Sequence, residues 1–419
     1  MKFNRTLIAS AIALSGGLAG ALASSSAAAD CGIAVEAAQI GILGNEFPAI
    51  QAVVGAAEGC ATDSVTFASN LTKEHREIQV AALTANPSEY SVAVVANSTL
   101  VTLMNDGLVR PLNSLIDEHA PDLPSNLKIT VGDDVMAIAF MANAQHLMYR
   151  ADILEAAGVD VPATYEDVLA AAEAIKEQGL VDYPLTGTYQ SGWNLAEEFV
   201  NMLMGHGGDM FKDGTAEPNL DSDEAKATLA MMKSLTEYMN PDYLTFDSTA
   251  AVAEFEQGKA AMMNMWGSRA GSVLDDEGAA EGVVENIGFA AAPTVGGGDI
   301  PASTLWWDGF TIATNTSDEN AAASFQAMLS GVTDEVANAN ADSAVWLMAG
   351  YEPTQAAEGV LATAEAGAQP YPMLPYIGLM HTALGNELVE FLQGSESAEQ
   401  ALADTEAAYR AAAEEAGFL

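Results

Sequence analysis

The 419-residue sequence is half apolar, and its 58 acidic residues outnumber its 14 basic residues, which gives a formal net charge of −44. The length fits two domains, and the apolar content is enough for large cores, so general disorder is excluded. A surface this acidic repels nucleic acids, anionic lipids and highly charged anionic substrates. Because the acids are spread along the whole chain, they indicate a solvated surface suited to a saline medium rather than a binding site for a polycation.

The first 29 residues have the three parts of a secretory signal. The charged start contains Lys2 and Arg5, the apolar middle is TLIASAIALSGGLAGALA, and the small residues of SSSAAAD allow cleavage near Ala29. The apolar middle is short and rich in Gly and Ser, so we expect cleavage rather than membrane anchoring. No later stretch approaches the ~20 apolar residues that a membrane span requires.

The sequence contains two cysteines, Cys31 and Cys60. Asp30 stands where a lipoprotein signal has a small uncharged residue, so we do not expect a lipid-modified cysteine. In an exported protein, two cysteines most economically form one disulfide, and two buried thiols are the alternative. A metal site built from two cysteines this far apart, without clustered histidines, is poorly supported.

From Asp30 to about Leu115, strand-like and helix-like segments alternate. The strand-like segments are GIAVEAAQIGILG, DSVTFAS and YSVAVVA; the last is apolar throughout, as in a strand buried on both faces of a parallel sheet. The first helix is expected in EFPAIQAVVGAAE, with Asn45 as its cap and Glu46 in its first turn, and the second in KEHREIQVAALTA. This order predicts a doubly wound α/β domain.

The middle of the chain leaves this domain and returns to it late. An extended crossing is expected in VMAIAFMANAQHLMYR, followed by helices in which Gly158 closes one, Thr164 with Asp167 caps the next and Ser222 caps a third. Strands return in NIGFAAAP and GFTIAT, and the C-terminal third is helical. We therefore predict two discontinuous α/β lobes around a cleft: lobe I from residues 30–140 and 287–335, and lobe II from residues 141–286 and 336–419.

Motifs for catalysis are missing: the sequence has no G-x-S-x-G elbow, no G-x-G-x-x-G after a strand and no Walker loop. The histidines lie singly, without metal-ligand spacing: His75, His119, His146, His206 and His381. Four aspartates in GGDMFKDGTAEPNLDSDE do not match the spacing of an EF-hand, so a solvated loop is expected there rather than a calcium site. The sequence thus predicts no enzyme, no metal site and no cofactor.

Four of the five tryptophans lie where structural elements end. Trp193 follows the turn-rich TGTYQSG, Trp266 precedes a Gly-Ser break, and the pair Trp306–Trp307 precedes an Asp-Gly step. A sugar site needs flat aromatic faces that stack on the ring and small polar groups that bind the hydroxyls. Packing explains any one of these tryptophans, but the set favours a ligand site. The fifth, Trp346, is expected in the core.

Five further stretches follow one another in a recognisable order: NPSEYSVAVVANSTLVTLMNDGLVRPLNSLI, LMYRADILEAAGVDVPATYEDVLAAAEAI, AEFEQGKAAMMNMW, GFAAAPTVGGG and FTIATNTSDENAAASFQAML. In this series the sequence resembles the bacterial ABC-transporter extracellular solute-binding proteins, in the carbohydrate-binding branch that includes the maltose-binding type. It departs from the family pattern at Ser91, at Tyr149-Arg150-Ala151 and at Tyr165. None of these positions is catalytic, so the departures concern the subfamily.

The resemblance implies a type II periplasmic-binding fold, in which two α/β lobes joined by a multi-crossing hinge clamp one ligand. It also implies a monomeric periplasmic protein that hands a sugar to the permease subunits of an ABC importer, without chemistry. By position in the family pattern, the implied ligand-binding residues are Asn45, Glu46, Asn97, Ser98, Trp193, Trp266, Trp306, Trp307 and Asp308.

Two alternatives stay open at this stage. A polyamine or betaine-type cation would bind by cation–π contact with the tryptophans, helped by Asp308 and Glu46. A secreted carbohydrate-active enzyme would use a pair of carboxylates.

Strand alternation in LWWDG makes a further prediction. It puts Trp306 on the side of Phe310 and Ile312 and Trp307 on the opposite side. We therefore expect Trp306 to pack with the apolar pair and Trp307 to face the ligand.

Overall fold

The computed structural model of the protein describes residues 31–419. The predicted secretory signal and its cleavage point lie outside the described residues. Within residues 31–419, no helix combines the length and the apolar character needed to cross a membrane.

The described chain alternates between strands and helices from its beginning. Its strands are β1 (Ala38–Gly44), β2 (Val65–Leu71), β3 (Val92–Ala96), β4 (Lys128–Val131), β5 (Asp134–Asn143), β6 (Gln145–Arg150), β7 (Leu185–Thr186), β8 (Met262–Trp266), β9 (Ile287–Ala290), β10 (Thr304–Ile312), β11 (Val345–Trp346) and β12 (Gln369–Pro370).

The α-helices lie between and after these strands. They are α1 (Pro48–Glu58), α2 (His75–Thr84), α3 (Asn97–Asn105), α4 (Asn113–His119), α5 (Ala151–Ala157), α6 (Tyr165–Glu177), α7 (Trp193–Gly205), α8 (Asp223–Thr236), α9 (Ser248–Glu256), α10 (Ala270–Val273), α11 (Asp318–Leu329), α12 (Asp334–Ala339), α13 (Glu358–Glu365), α14 (Ile377–Gln393) and α15 (Ala398–Glu415).

The strands form two separate sheets. The first sheet has the order β11-β5-β10-β3-β1-β2, with β4 beside β5 and β12 beside β10. Strand β1 is parallel to β2 and β3, whereas the late strand β10 is antiparallel to both β3 and β5. The second sheet has the order β7-β8-β6-β9. Two α/β sheets, one of which is completed by a strand that returns late in the chain, confirm the predicted fold class.

The chain passes from the first sheet to the second through a single residue, Ala144, which separates β5 from β6. It returns between β9 and β10. The predicted lobe ranges stay a prediction, but the sheets depart from them at β9, β11 and β12. Strands β11 and β12 pair with β5 and β10 of the first sheet, although their residues fall in the range assigned to lobe II. Strand β9 pairs with β6 of the second sheet, although its residues fall in the range assigned to lobe I. Trp346 on β11 is buried, as expected.

The first sheet is covered on both faces. One face packs against α1 and α11 and includes Ile40, Val92 and Phe310, and the other includes Leu43 and Val95. The second sheet packs against a larger helical core, in which α7, α14 and α15 lie side by side. Burial on both faces explains why β3 is apolar along its whole length.

The helix ends follow the local sequence signals at three positions. Thr164 and Asp167 form the capping box of α6, the Ser222 hydroxyl accepts a hydrogen bond from the amide of Ala225, and Gly158 ends α5 with φ +73°.

The predicted cap of the first helix is wrong. Helix α1 begins at Pro48, with Phe47 as its N-cap residue, and the Asn45 side chain accepts a hydrogen bond from the amide of Glu46 instead. The reason is Pro48, whose fixed φ and missing N–H suit the first helical position and delay the helix start beyond Asn45.

Cys31 and Cys60 form a disulfide, as predicted, and it ties the chain before β1 to the end of α1. It closes a loop with a sequence separation of 29 residues. We expect the double substitution of both cysteines by serine to lower the free energy of unfolding by about 3 kcal/mol, because the crosslink restricts the unfolded chain. Urea denaturation of the two forms measures this difference; equal midpoints and slopes would contradict it.

Candidate functional site

A cavity of about 500 Å³ lies between the two sheets. One wall is built from residues that lie within, end or follow strands of the first sheet: Asn45, Lys73, Arg76, Asn143, Trp306 and Asp308. The other wall is built from segments of the second unit: Gln190, Trp193, Asp247, Ser248, Trp266 and Arg269. The volume is that of a small-molecule site, and the carboxyl ends of parallel strands are where open α/β sheets bind ligands.

Three tryptophans from three distant segments meet in this cavity. The Trp193 ring lies 6.3 Å from that of Trp266 and 5.6 Å from that of Trp306, and the Trp266 and Trp306 rings are 5.9 Å apart, all measured between centroids. Tyr371 and His381 extend the cluster behind Trp306 and Trp193. Because the contacts are edge-to-face or inclined stacking, they hold the indoles in fixed orientations.

Trp306 is fixed further by buried polar groups. Its indole N–H donates to Glu197 Oε1 at 3.1 Å and to Thr304 Oγ1 at 2.8 Å, and the Thr304 hydroxyl also contacts Glu197. Burial raises the pKa of Glu197 to about 8, against the hydrogen bonds from Thr304 and Trp306, which lower it. The carboxyl is therefore largely protonated at neutral pH, and it positions the indole without placing a full charge in the core.

A second buried carboxyl lies beside Glu197 on α7. Glu198 accepts hydrogen bonds from the Gln145 amide at 2.8 Å and from the Thr188 hydroxyl, and burial raises its pKa to about 7. Gln145 follows the crossing at Ala144 and also accepts hydrogen bonds from Asn201 and Asn264. The crossing into the second unit is thus attached to a connected network of buried polar side chains.

Charged side chains form a further part of the cavity lining. Lys73 from the first wall forms a salt bridge of 2.8 Å with Asp247 from the second. The Arg76 guanidinium lies 4.2 Å from the Trp193 ring centroid, and Arg269 donates to the Ser248 hydroxyl at 2.9 Å. The site therefore offers donors on both walls and aromatic surface between them.

Asp308 contributes an acceptor to the first wall. Burial raises the pKa of this carboxyl to about 7, and the nearby positive charge of Arg76 lowers it. In the part of the chain that the structure describes, no donor forms a hydrogen bond with its carboxylate. It is consequently available to a ligand hydroxyl.

Five of the nine residues implied by the family pattern meet in the cavity: Asn45, Trp193, Trp266, Trp306 and Asp308. Their contact with a ligand stays a prediction. Glu46 is exposed outside the cavity lining. Ser98 is buried in the first turn of α3.

Asn97 is buried in that same turn, and its side chain bonds the backbone of β10. Its Oδ1 accepts from the Trp307 amide at 2.9 Å, and its Nδ2 donates to the Leu305 carbonyl at 3.4 Å. Asn97 thus positions the strand that carries Trp306 rather than lining the cavity itself.

The structure buries Trp306, which is 5% exposed, in agreement with its expected packing, whereas Trp307 does not line the cavity as expected. Trp306 shares a side of β10 with Phe310, as predicted, but this side opens into the cavity at Trp306 and Asp308. Trp307 points to the opposite side and packs against the core that contains Leu103. The prediction failed because both faces of the first sheet are buried, so an apolar neighbour on the same side does not identify the core side.

The close approach of β10 to β5 explains why glycine stands at position 309, after the Trp306–Trp307 pair and Asp308. A Cβ atom at this position would collide with the Ile138 carbonyl oxygen on β5. The register between β10 and β5 shifts at this step. The Asp-Gly step therefore lets β10 lie close to β5 while Asp308 remains at the cavity.

Sequence reasoning missed the basic residues of the site, Lys73, Arg76 and Arg269. Their positions in the chain could have indicated a role in the site. Lys73 and Arg76 follow the parallel strand β2, and Arg269 follows Trp266 by three residues. Among the described residues, no group of three or more His, Cys, Asp or Glu side chains is arranged to hold a metal ion.

Two α/β units that meet around an open cavity, with aromatic and hydrogen-bonding groups on both walls, define a two-lobed ligand-binding protein. The chain belongs to the bacterial extracellular solute-binding proteins, because the profile of this family matches residues 64–332.

A curated relative is the "Probable ABC transporter-binding protein" of Deinococcus radiodurans, which is 25% identical over 281 residues. The aligned region covers 65% of this chain and 61% of that relative, so the chain spans about three fifths of the relative's length.

Solved structures share the fold along nearly their whole length. A solute-binding protein of Agrobacterium radiobacter K84 in complex with ribitol has a TM-score of 0.76 at 20% identity, covering 88% of this chain and 97% of that one. T. maritima MalE3 with bound maltose has a TM-score of 0.76 at 19% identity, covering 89% and 99%. A solute-binding protein of Agrobacterium vitis S4 with D-mannitol has a TM-score of 0.74 at 21% identity, covering 91% and 100%.

Proposed function

We propose that this protein is the sugar-binding component of an ABC importer. The observation that carries the proposal is the cluster of Trp193, Trp266 and Trp306 in a cavity rimmed by amide, hydroxyl and charged groups. Indole faces match the apolar faces of a pyranose or the carbon chain of a polyol, and the rim matches its hydroxyls. The sugars and polyols bound by the similar structures, namely maltose, ribitol and D-mannitol, support this ligand class.

Capture in this proposal involves binding and closure without covalent chemistry. The ligand first stacks on the tryptophans of one wall, and rotation of the two units about the crossing at Ala144 brings donors of the other wall onto its hydroxyls. The closed form then docks on permease subunits in the inner membrane. We further propose that the protein is a periplasmic monomer that is released from its signal near Ala29, needs no cofactor, binds no nucleic acid and is not an enzyme.

The alternative of a cationic ligand is less well supported by the site. The guanidinium of Arg76 already occupies the cation–π position over Trp193. Arg269 places a second positive charge in the cavity. A polyamine or betaine would therefore meet like charge at the aromatic surface on which its binding depends.

The proposal predicts stabilisation by saccharides. In a thermal-shift panel of neutral and acidic monosaccharides, disaccharides and polyols, we expect at least one compound to raise the Tm in proportion to the logarithm of its concentration, because it binds only the folded protein. Spermidine and glycine betaine serve as cationic and zwitterionic controls, for which no shift is expected. A saturable shift with either control and none with any saccharide or polyol would overturn the proposal, and breakdown of an added oligosaccharide would contradict the absence of catalysis.

A further inference from the structure

The arginines of this chain fall into two groups. Three of the five arginines in residues 31–419 form salt bridges: Arg110 with Asp318, Arg150 with Asp152 and Arg410 with Glu217, at 2.9, 2.6 and 2.7 Å. The other two, Arg76 and Arg269, form no salt bridge with any described residue, and both line the cavity.

This distribution is unexpected in a sequence with 58 acidic and 14 basic residues. An arginine placed without constraint on such a surface would find a carboxylate within reach, as the other three do. The guanidinium is also a costly group to leave without an acceptor when it is partly buried. The two unpaired arginines therefore point to an acceptor that the chain itself does not supply.

Arg76 carries the stronger evidence. Its Nε is buried and has no hydrogen-bond partner among the described residues, while its guanidinium lies against the Trp193 ring. It is the second residue of α2, where the helix dipole disfavours a positive charge. Stacking on the indole holds the planar group in one orientation, which prepares it to bind an anion through two parallel hydrogen bonds.

The acidic residues that line the cavity do not take this role. Asp247 bonds Lys73 and caps α9, and the Glu74 carboxylate bonds the Thr72 hydroxyl. Glu77 and Asp308 form no hydrogen bond with a described residue through their carboxylates, and neither lies within salt-bridge distance of Arg76.

Arg269 stands on the opposite wall from Arg76, three residues after the strand that ends with Trp266. Its one side-chain hydrogen bond to a described residue goes to the neutral Ser248 hydroxyl. The two guanidiniums thus face the same cavity from different units. An anionic group on the ligand would bind to arginines of both units and would therefore favour the closed form.

We propose that the saccharide bound by this protein is acidic and that its carboxylate is bound by Arg76, with Arg269 as the second cationic contact from the opposite wall. This inference rests on the proposed function and narrows its ligand class to sugars such as hexuronic acids and oligosaccharides that contain them. Asn45 and Asp308 remain for the hydroxyls, and Trp266 for the sugar face. The local guanidiniums also offset the long-range repulsion that the acidic protein exerts on an anion.

Matched pairs of sugars test the inference, because each pair differs only in the oxidation of C6. Isothermal titration with D-galacturonate and D-galactose, D-glucuronate and D-glucose, and the corresponding disaccharides measures Kd for each. We expect the best acidic sugar to bind at least about 10-fold more tightly than its neutral partner. In Arg76→Gln this preference should fall about 10- to 100-fold, as for a lost hydrogen-bonded ion pair, with the neutral sugar changed less than about 3-fold.

Two control variants separate the ion pair from other effects. Arg269→Gln should lower the preference for the acid by a smaller factor than Arg76→Gln. Arg410→Gln, which removes a salt-bridged arginine outside the cavity, should leave every Kd unchanged. Circular dichroism and Tm of each variant without ligand confirm that it is folded.

The remaining outcomes of these titrations distinguish failure of the acidic-ligand proposal from failure of the proposed sugar-binding function. Equal or tighter binding of the neutral sugar, or equal weakening of both partners in Arg76→Gln, overturns the acidic ligand and leaves the sugar-binding function standing. Failure of every saccharide and polyol to bind, acidic or neutral, overturns the sugar-binding function and the acidic ligand together.

Discussion

Trp266→Ala should lower the affinity for the bound saccharide about 30- to 100-fold. The indole is partly exposed in the cavity, and stacking of a sugar on it removes apolar surface worth roughly 2–3 kcal/mol from water. Because Trp266 is not fully buried before the ligand arrives, most of this loss falls on binding. Titration of the purified variant with the ligand found in the thermal-shift panel measures the effect.

The matched control for this prediction is Trp307→Ala. Trp307 is also partly buried, but it packs against the core on the far side of the first sheet and does not line the cavity. Its replacement should lower the Tm while changing the ligand Kd less than about 3-fold. A larger loss of affinity in Trp307→Ala than in Trp266→Ala would show that the assignment of the two sides of β10 to core and cavity is incorrect.

Raising the pH from about 6.5 to 8 should destabilise the folded protein by about 2 kcal/mol through Glu197 and Glu198. Burial raises the pKa of these carboxyls to about 8 and about 7, whereas in the unfolded chain they ionise near 4.5. The folded state therefore binds more protons than the unfolded state in this range, and its stability falls as the pH rises through the folded-state values.

The buried histidines cause the loss of folding stability on the acidic side of the pH optimum. Burial lowers the pKa of His75 and His381 to about 3 and that of His146 to about 4, so their contribution is complete above pH 6.5 and is lost as the pH falls. Above pH 6.5 the two carboxyls of α7 dominate the fall in stability, with a smaller contribution of the same sign from Asp308, whose pKa burial raises to about 7. Stability should accordingly be highest near pH 6.

Urea denaturation between pH 6 and 8.5 checks this dependence. In Glu197→Gln/Glu198→Gln, the amides retain the shape and the neutral state of the protonated carboxyls, so the decline above pH 6.5 should be much smaller than in the parent. Glu217→Gln, at a partly exposed salt bridge, is the control in which the decline should persist. An equal decline in the double variant and the parent would rule out these two carboxyls as its source.

The elements that could be predicted were those with local causes. The capping box of Thr164 and Asp167, the Ser222 cap and the turn at Gly158 each depend on a few neighbouring residues. Strand β3 was visible because burial on both faces makes it apolar throughout. Even there, a single residue such as Pro48 moved a helix boundary that the general pattern placed earlier.

The features that could not be predicted depend on which surfaces meet. Alternation in β10 gave the correct sides for Trp306 and Trp307, but the choice of cavity side depends on where the second unit lies. Arg76 was hidden for a similar reason: in KEHREIQVAALTA it looks like one more solvated charge, and its significance rests on Trp193, which is 117 positions away. The sequence placed Asn97 correctly in the turn after β3, but its side chain bonds the backbone of β10 instead of lining the cavity.

The mutual contact of Trp193, Trp266 and Trp306 has a spectroscopic consequence. Indole transitions at centroid separations of 5.6 to 6.3 Å are close enough to couple, and three of the protein's five tryptophans take part. The coupling depends on the angles between the rings, which differ between the three pairs from 30° to 88°. We expect a ligand that stacks on these rings to change the aromatic circular dichroism and the fluorescence of the unlabelled protein, so that binding can be followed in real time without a dye.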